Sequence, residues 1–511
     1  RRPPSPLDPP PRRPAHDPPG VSRLKAALAW LLPAGGILAS CGWLGLIEPT
    51  ETRYAEIARE MLESRDWLIP RLNGIPHFHK PPLAYWSSAA GMGLLGVNAW
   101  GARIGAALAA GVILWCTARI ARHVPSEGVS PDEAAARAPL LLASMVLFFA
   151  ISHQLASDIF LAAAVAWYYA AIFDPRSRTT IWPYVALGVG FMAKGPVVLV
   201  LTAVPVLLAS LWARDGALAR TLRSRRGWLV FALVALPWYL IVMFRTPGLM
   251  TYFLHHQLWQ RYTTTLHQRG GPVYYFLLVT LGGTLPWTWP ALRELWRSAR
   301  GRPVEQGATH HRRSEDALLA SWVLLPFVFF SFSGSKLPAY VLPVFPALAV
   351  LASRASVRGW EAGTGRWGIR SALPMWTIVF TFVGLMALLA AVSPFDSKLG
   401  SPRALAETLS KNRLPGEHIV EFGTFNAGIP FYLRETVPML EVPRDLGFVD
   451  PRARALAVIT REDLARTVMT SGRVWLVGNP DRIKALANEL GFNATYVAGF
   501  GDQALLSLAT R

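Results

Sequence analysis

The sequence predicts a polytopic α-helical membrane protein that carries a small α/β domain toward its carboxyl end. Of its 511 residues, 52% are hydrophobic and only 16% charged, a balance that puts the chain outside the ordinary soluble class. Apolar runs near the ~20 residues needed to cross a bilayer recur along it, among them 26–46, 101–120, 227–243 and 375–392. A single soluble core would not repeat in this way. From about Pro394 the composition becomes that of a soluble domain, with strand-like runs at 419–422, 455–459, 474–477 and 496–500 and helix-like segments at 461–470 and 481–490.

The formal charge of +19 is spread in short basic clusters between the apolar runs instead of being gathered on one domain, which follows the positive-inside rule and excludes a nucleic-acid partner. Cys41 and Cys116 each lie inside an apolar run, so they are expected as buried free thiols with no disulfide framework. Residues 1–22, rich in proline and arginine, are expected as a disordered cytoplasmic tail. The long run after them lacks a small-residue cleavage site and reads as an uncleaved first span. Segment 83–97 is short and holds Tyr85, Trp86 and two serines, which places it on the membrane surface as a juxtamembrane helix. With it set aside, the arginine-rich turns 119–137, 174–178, 214–226, 293–313 and 354–370 all fall inside. Turns 48–100, 154–158, 193–196, 245–272 and 333–340 then fall outside, and the membrane domain 23–393 has about eleven to thirteen spans. The soluble domain 394–511 lies on the outer side, in an architectural or acceptor-docking role.

Basic residues on the outer side run against the sorting rule and need a separate reason. They are Arg53, Lys80, Lys194, Arg245, Arg261, Arg269 and Lys336, with Arg59, Arg65 and Arg71 accounted for by nearby acids or solvent. Cations at headgroup depth suit a lipid phosphate, against the plainer reading of interfacial snorkelling. The contexts Lys80-Pro81-Pro82, Lys194-Gly195-Pro196 and Ser335-Lys336-Leu337-Pro338-Ala339-Tyr340 favour the phosphate, because proline and glycine fix each lysine on a turn at the end of a span. In the first outer loop, a short helix from Thr52 puts Tyr54, Ile57, Ala58 and Met61 on one face, with Thr50 as its cap. Glu56, Arg59, Glu60 and Glu63 then form a solvated face, while Glu48, Glu51 and Arg53 are left as site candidates. Asp158, in a very short outer turn, is costly at that depth without a partner or a function, and the competing reading is a cap for the following helix, with Ser157 as the rival capping residue.

These residues carry a resemblance. The stretch 51–86, reading ETRYAEIAREMLESRDWLIPRLNGIPHFHKPPLAYW, is similar to the first periplasmic loop of the ArnT-like lipid A glycosyltransferases, relatives of the protein O-mannosyltransferases. The likeness continues through GVNAWGARIGAALA, Asp158, MAKGP, LPWYL, LPWTWP and FSGSKLPAYVLPVFPALA, in family order. It implies a GT-C fold in a bacterial inner membrane with the site facing the periplasm. The implied donor is an undecaprenyl-phosphate-linked sugar such as aminoarabinose, and the acceptor is lipid A or a related glycolipid. By position, Arg53 and Lys80 would hold the carrier phosphate, Tyr340 would lie beside it with Lys336 in the same motif, and Asp158 would position donor and acceptor. Lys194 and Arg261 join the phosphate-binding candidates, and Tyr54 and Tyr85 the wall of the site. Two departures stand out: Thr50 replaces the family's usual aspartate, leaving Glu51 or Glu48 as the acid, and His79 replaces its usual glutamate. The implied enzyme requires no cofactor, and a zinc site would need His79 with His255 or His256, which read more simply as polar residues. The alternatives are a protein O-mannosyltransferase-like enzyme and a lipid-linked oligosaccharide transporter. The latter predicts polar residues along the middle of several spans, and few are seen.

Overall fold

The computed structural model describes residues 19–126, 129–253, 271–300, 310–361, 369–441 and 457–510. The tail expected over 1–22 lies mostly outside them, as do Arg261, Arg269, His255 and His256. The chain opens with α1 (Pro19–Ser40), after which α2 (Thr50–Ser64) and α3 (Leu83–Leu95) flank a small hairpin of β1 (Arg71–Leu72) and β2 (Ile75–Pro76). Next come α4 (Ala99–His123), α5 (Pro131–Ala143), α6 (Val146–Ser152), α7 (Ser157–Phe173) and α8 (Trp182–Lys194).

Local chemistry explains several of these boundaries. The Asn98 side chain accepts the Gly101 amide at 2.9 Å and so starts α4, and Ser130 does the same for Glu133 at α5. Asn73 and Gly74, both at positive φ, make the two-residue turn of the hairpin, and Glu60 accepts their amides. Gly91 lets α3 and α4 pack backbone to backbone, since a Cβ there would lie 2.3 Å from the Gly101 carbonyl.

Among the described residues, five helices are long and apolar enough to cross a membrane, or six if α5 and α6, bent by 73° at their junction, form one span. That count takes only helices of at least 18 residues, so shorter apolar helices fall outside it. Helix α7 has 17 residues, α8 stops at Gly195-Pro196, and another apolar helix covers Val197–Ala213. Helix α3 has 13 residues, short of a span. At the centre stands α7, alanine-rich and buried along nearly its whole length. Tyr169 on it stacks on Trp322 at 3.8 Å, whose indole donates to the Pro343 carbonyl at 3.0 Å.

After the helix Ile369–Val392 comes a six-stranded sheet of order β5-β4-β3-β6-β8-β7. Its strands are β3 (His418–Phe422), β4 (Met439–Leu440), β5 (Val458–Ile459), β6 (Arg473–Gly478), β7 (Phe492–Phe500) and β8 (Gln503–Thr510). The first four pair in parallel, and β8 runs antiparallel to β6 and β7. Sequence patterning misses β4, which has two residues, and β8. The domain seats itself through the helix Gly428–Leu433: Ala427 and Phe431 join the main hydrophobic core, and the Tyr432 hydroxyl accepts the Leu46 amide at 2.8 Å. Asn73 bonds both backbone groups of Val437, at 2.7 and 2.9 Å.

Two local expectations for α2 are corrected. Thr50 is the first helical residue and not its cap, because Pro49 occupies that position without a side-chain bond. The face expected to be solvated is buried in its first half: Glu56 and Arg59 form a two-bonded ion pair at 2.6 and 2.7 Å with almost no exposure, while Glu60 is half-buried and Glu63 is exposed. The sheet domain covers what a helix seen alone would leave to water. Cys41 and Cys116 are free and buried.

Candidate active site

The first turn of α7 and the last residue of α8 meet, because the two helices pack side by side with a short reversal between them. Asp158 and Lys194 form an ion pair there, each side chain about one-tenth exposed. The Lys194 ammonium also lies 4.1 Å from the centre of the Tyr340 ring, which the turn Pro338–Val344 brings up from the far side and Phe276 and Phe330 support. A cation held over an aromatic face gains electrostatic attraction while keeping donors for a third group. One Asp158 oxygen takes Lys194, and the other has no hydrogen bond among the described residues. Neither Asp158 nor Ser157 caps α7, whose cap position is Ala156. The cost of placing an acid here is met by Lys194.

The first loop supplies a second wall. Arg53 on α2 is half-buried and has no hydrogen bond or ion pair among the described residues. Beside it the Tyr54 and Tyr85 rings pack at 5.1 Å, and Arg53 and Tyr252 lie within electrostatic reach of the buried Tyr85 hydroxyl. His79 stacks on Tyr252 at 6.4 Å. Lys80, half-buried, immediately precedes the prolines that start α3. Its neighbours Phe78 and Leu83 share a hydrophobic cluster with Met192, two residues before Lys194, which draws the Lys80 turn toward the end of α8.

Glu51 does something that the sequence did not disclose. It receives Arg103 through Nε and Nη2 at 2.8 and 2.7 Å, and the Ile47 and Leu155 amides at 3.0 and 2.7 Å. Arg103 spends its remaining donors on the carbonyls of Cys41, Leu44 and Gly45. Glu51 thus ties α2 and α4 to the backbone three residues before Asp158. The missed partner had a signal, an arginine inside the apolar run 101–120, where an ionisable group requires a counter-charge. Glu48 faces the sheet domain and accepts the Gly428 amide at 2.7 Å. Burial pushes its carboxyl up to about 7, against the pull of the Gly428 amide and the Arg53 charge. Lys336, buried, donates to the Ser331 and Ser333 carbonyls at 3.0 and 2.7 Å, closing the end of the helix His310–Ser331.

A zinc centre does not fit the described donors. The His77 and His79 rings lie 4.1 Å apart, but no group of three His, Cys, Asp or Glu side chains among the described residues is arranged to hold a metal, and His256 lies outside them.

With this geometry in view, the comparisons are specific. Over 96% of the chain the structure superposes on ArnT from Cupriavidus metallidurans bound to undecaprenyl phosphate, covering 98% of that chain with a TM-score of 0.76 and 25% identity. The fold is an ArnT-like GT-C fold. Residues 79–244 match the family model described as dolichyl-phosphate-mannose-protein mannosyltransferase. An undecaprenyl phosphate-alpha-4-amino-4-deoxy-L-arabinose arabinosyl transferase from Pseudomonas fluorescens is 34% identical over 63% of this chain and 56% of its own length. A transferase of the same name from Pseudomonas savastanoi is 33% identical over 71% of this chain and 65% of its own. The match therefore spans less than two-thirds of either relative. Within the ArnT-like fold, Asp158 on α7, Lys194 on α8 and Tyr340 on the turn Pro338–Val344 come from separate elements, and packing brings them together.

Proposed function

We propose that this chain is an inverting glycosyltransferase that takes a sugar from undecaprenyl phosphate at the periplasmic face of the bacterial inner membrane and delivers it to lipid A or a related envelope glycolipid. The observation that carries the reading is the Lys194 ammonium shared between Asp158 and the Tyr340 ring, with the Lys80 turn drawn toward the same end of α8 by the cluster that joins Phe78 to Met192. The printed names of the relatives support the donor and the sugar, aminoarabinose.

The acceptor oxygen attacks the anomeric carbon from the side opposite the phosphate, and the bond from that carbon to the phosphate oxygen breaks with inversion. Negative charge gathers on the departing phosphate. Arg53, Lys80 and Lys194 are fixed cations for it, worth most in a site shielded from water. Asp158, with one oxygen on Lys194, has the other for the acceptor, where it takes a hydroxyl proton or orients the acceptor. A phosphate acceptor is already an anion and needs no base, which suits a chain with Thr50 at the family's usual aspartate position. Glu51, saturated by Arg103 and two amides, holds α2 and the start of α7 in register and leaves proton transfer to Asp158.

Purified protein in nanodiscs, given undecaprenyl-phosphate aminoarabinose and lipid A, is expected to yield lipid A heavier by one aminoarabinose residue. Absence of that product with wild-type protein, or full product from Asp158→Asn, overturns the reading. Transfer to a protein acceptor in place of lipid A moves it to the O-mannosyltransferase class.

A further inference from the structure

The end of the bundle away from Asp158 holds a second built feature. Helix α7 runs from Ser157 to Phe173, so its far end is about 24 Å from the candidate active site. There, α1, α4, α5 and the turn after α7 enclose a cavity of about 660 Å³. Its floor is alanine, with Ala26, Ala118 and Ala135 packed together, so the helices meet without filling the space above them. Around the rim stand Arg23, Arg119, Arg122 and Arg176, contributed by three separate elements. Two are neutralised: Arg119 pairs with Asp174 at 2.9 Å, and Arg122 pairs with Asp132. Asp174 is further engaged by the Ser177 hydroxyl and the Arg176 amide, both at 2.9 Å. Arg23 and Arg176 are exposed and have no ion pair among the described residues, which leaves two surplus guanidinium groups at one mouth.

A second cavity of about 380 Å³ shares Trp115 and Arg119 with the first. It continues along Val112, Ala170 and Ala171 and is walled by Trp115, Trp167 and Trp182. Val112 lies seven residues before Arg119 on α4, so this wall extends about 10 Å toward the middle of the bundle. Arg119 sits 5.3 Å from the centre of the Trp115 ring, at the boundary of the two cavities. A chamber with a cationic rim that adjoins an apolar, tryptophan-lined groove matches an anionic headgroup with its acyl chain attached. A soluble phosphate compound would use the first cavity and have no need of the second.

We propose that these two cavities form a binding site for one anionic phospholipid of the leaflet opposite the candidate active site. The phosphate lies against Arg23 and Arg176, and one acyl chain lies along Trp115, Trp167 and Trp182. The site is independent of the transfer reaction, and lipid retention, not sugar transfer, tests it. Purified full-length chain is titrated by native mass spectrometry with phosphatidylglycerol, with phosphatidylcholine of the same acyl chains, and with glycerophosphoglycerol. One phosphatidylglycerol is expected to remain bound at concentrations where phosphatidylcholine is lost. Each surface arginine near an anionic headgroup is worth about fivefold in affinity, so Arg23→Gln with Arg176→Gln weakens phosphatidylglycerol binding roughly thirtyfold. Ala27→Phe, which fills the first cavity without touching a charge, also weakens it, whereas Arg466→Gln on the sheet domain leaves it unchanged. Equal retention of the two phospholipids, wild-type binding by the double variant, or competition by glycerophosphoglycerol as effective as by the intact lipid overturns the proposal.

Discussion

Two buried carboxylate–cation pairs sit a few residues apart in space and differ in one respect. Glu51 and Arg103 have no donor or acceptor left over, since two guanidinium contacts, two amides and three carbonyls close the set. Asp158 and Lys194 have one contact between them, an aromatic face under the ammonium, and a carboxylate oxygen with no hydrogen bond among the described residues. A saturated buried pair fixes geometry, and a half-used one is available to a ligand. Charge alone in the sequence does not separate these roles, because both acids lie at the ends of apolar segments.

The comparison is broken most directly at Asp158. Asp158→Asn, which keeps a hydrogen bond to Lys194 but not its charge, is expected to lower the transfer rate by roughly 10²- to 10⁴-fold and the melting temperature by much less than Glu51→Ala does, as a rate assay and a thermal scan of the same sample will report. Glu51→Ala should do the reverse. It strands Arg103 without its counter-charge, a loss of about 3–5 kcal/mol seen as a large drop in melting temperature, and protein that remains folded retains transfer. An intact fold with no transfer in Glu51→Ala would exchange the two roles. Next in size, Tyr340→Leu removes the ring under Lys194 and is expected to weaken donor binding by about 0.5–2 kcal/mol in a titration with undecaprenyl phosphate, whereas Tyr340→Phe stays near wild type.

The smallest effect concerns the contact between α2 and the sheet domain. Glu48 has a folded-state value near 7, raised from 4.5 by burial. The protonated form is therefore the one the folded contact prefers. Its contribution is fully present below pH 4.5 and is lost as pH rises toward 7. Thermal stability should fall over that window in the wild type, with a shallower slope in Glu48→Gln. Equal slopes would mean that another group titrates.

How much of this was readable varies with distance along the chain. The α2 face of Tyr54, Ile57, Ala58 and Met61 followed from helical spacing, and all four are buried. The lysine turns followed from adjacent glycine and proline. The burial of Glu56 and Arg59 was not readable, since α2 packs against the helix Gly428–Leu433, which lies about 370 positions later in the chain. The same holds for Lys336, whose context announced a placed charge but not that two of its donors close the helix before it.

By itself the sequence determined the membrane class and the sheet domain after the last apolar run, because these follow from local composition and periodicity. Only the tertiary structure decided which acid is saturated by partners and which keeps an oxygen with no hydrogen bond among the described residues. That choice rests on whether a counter-charge and free amides arrive from distant segments, and no local pattern encodes the arrival of Arg103 or Lys194.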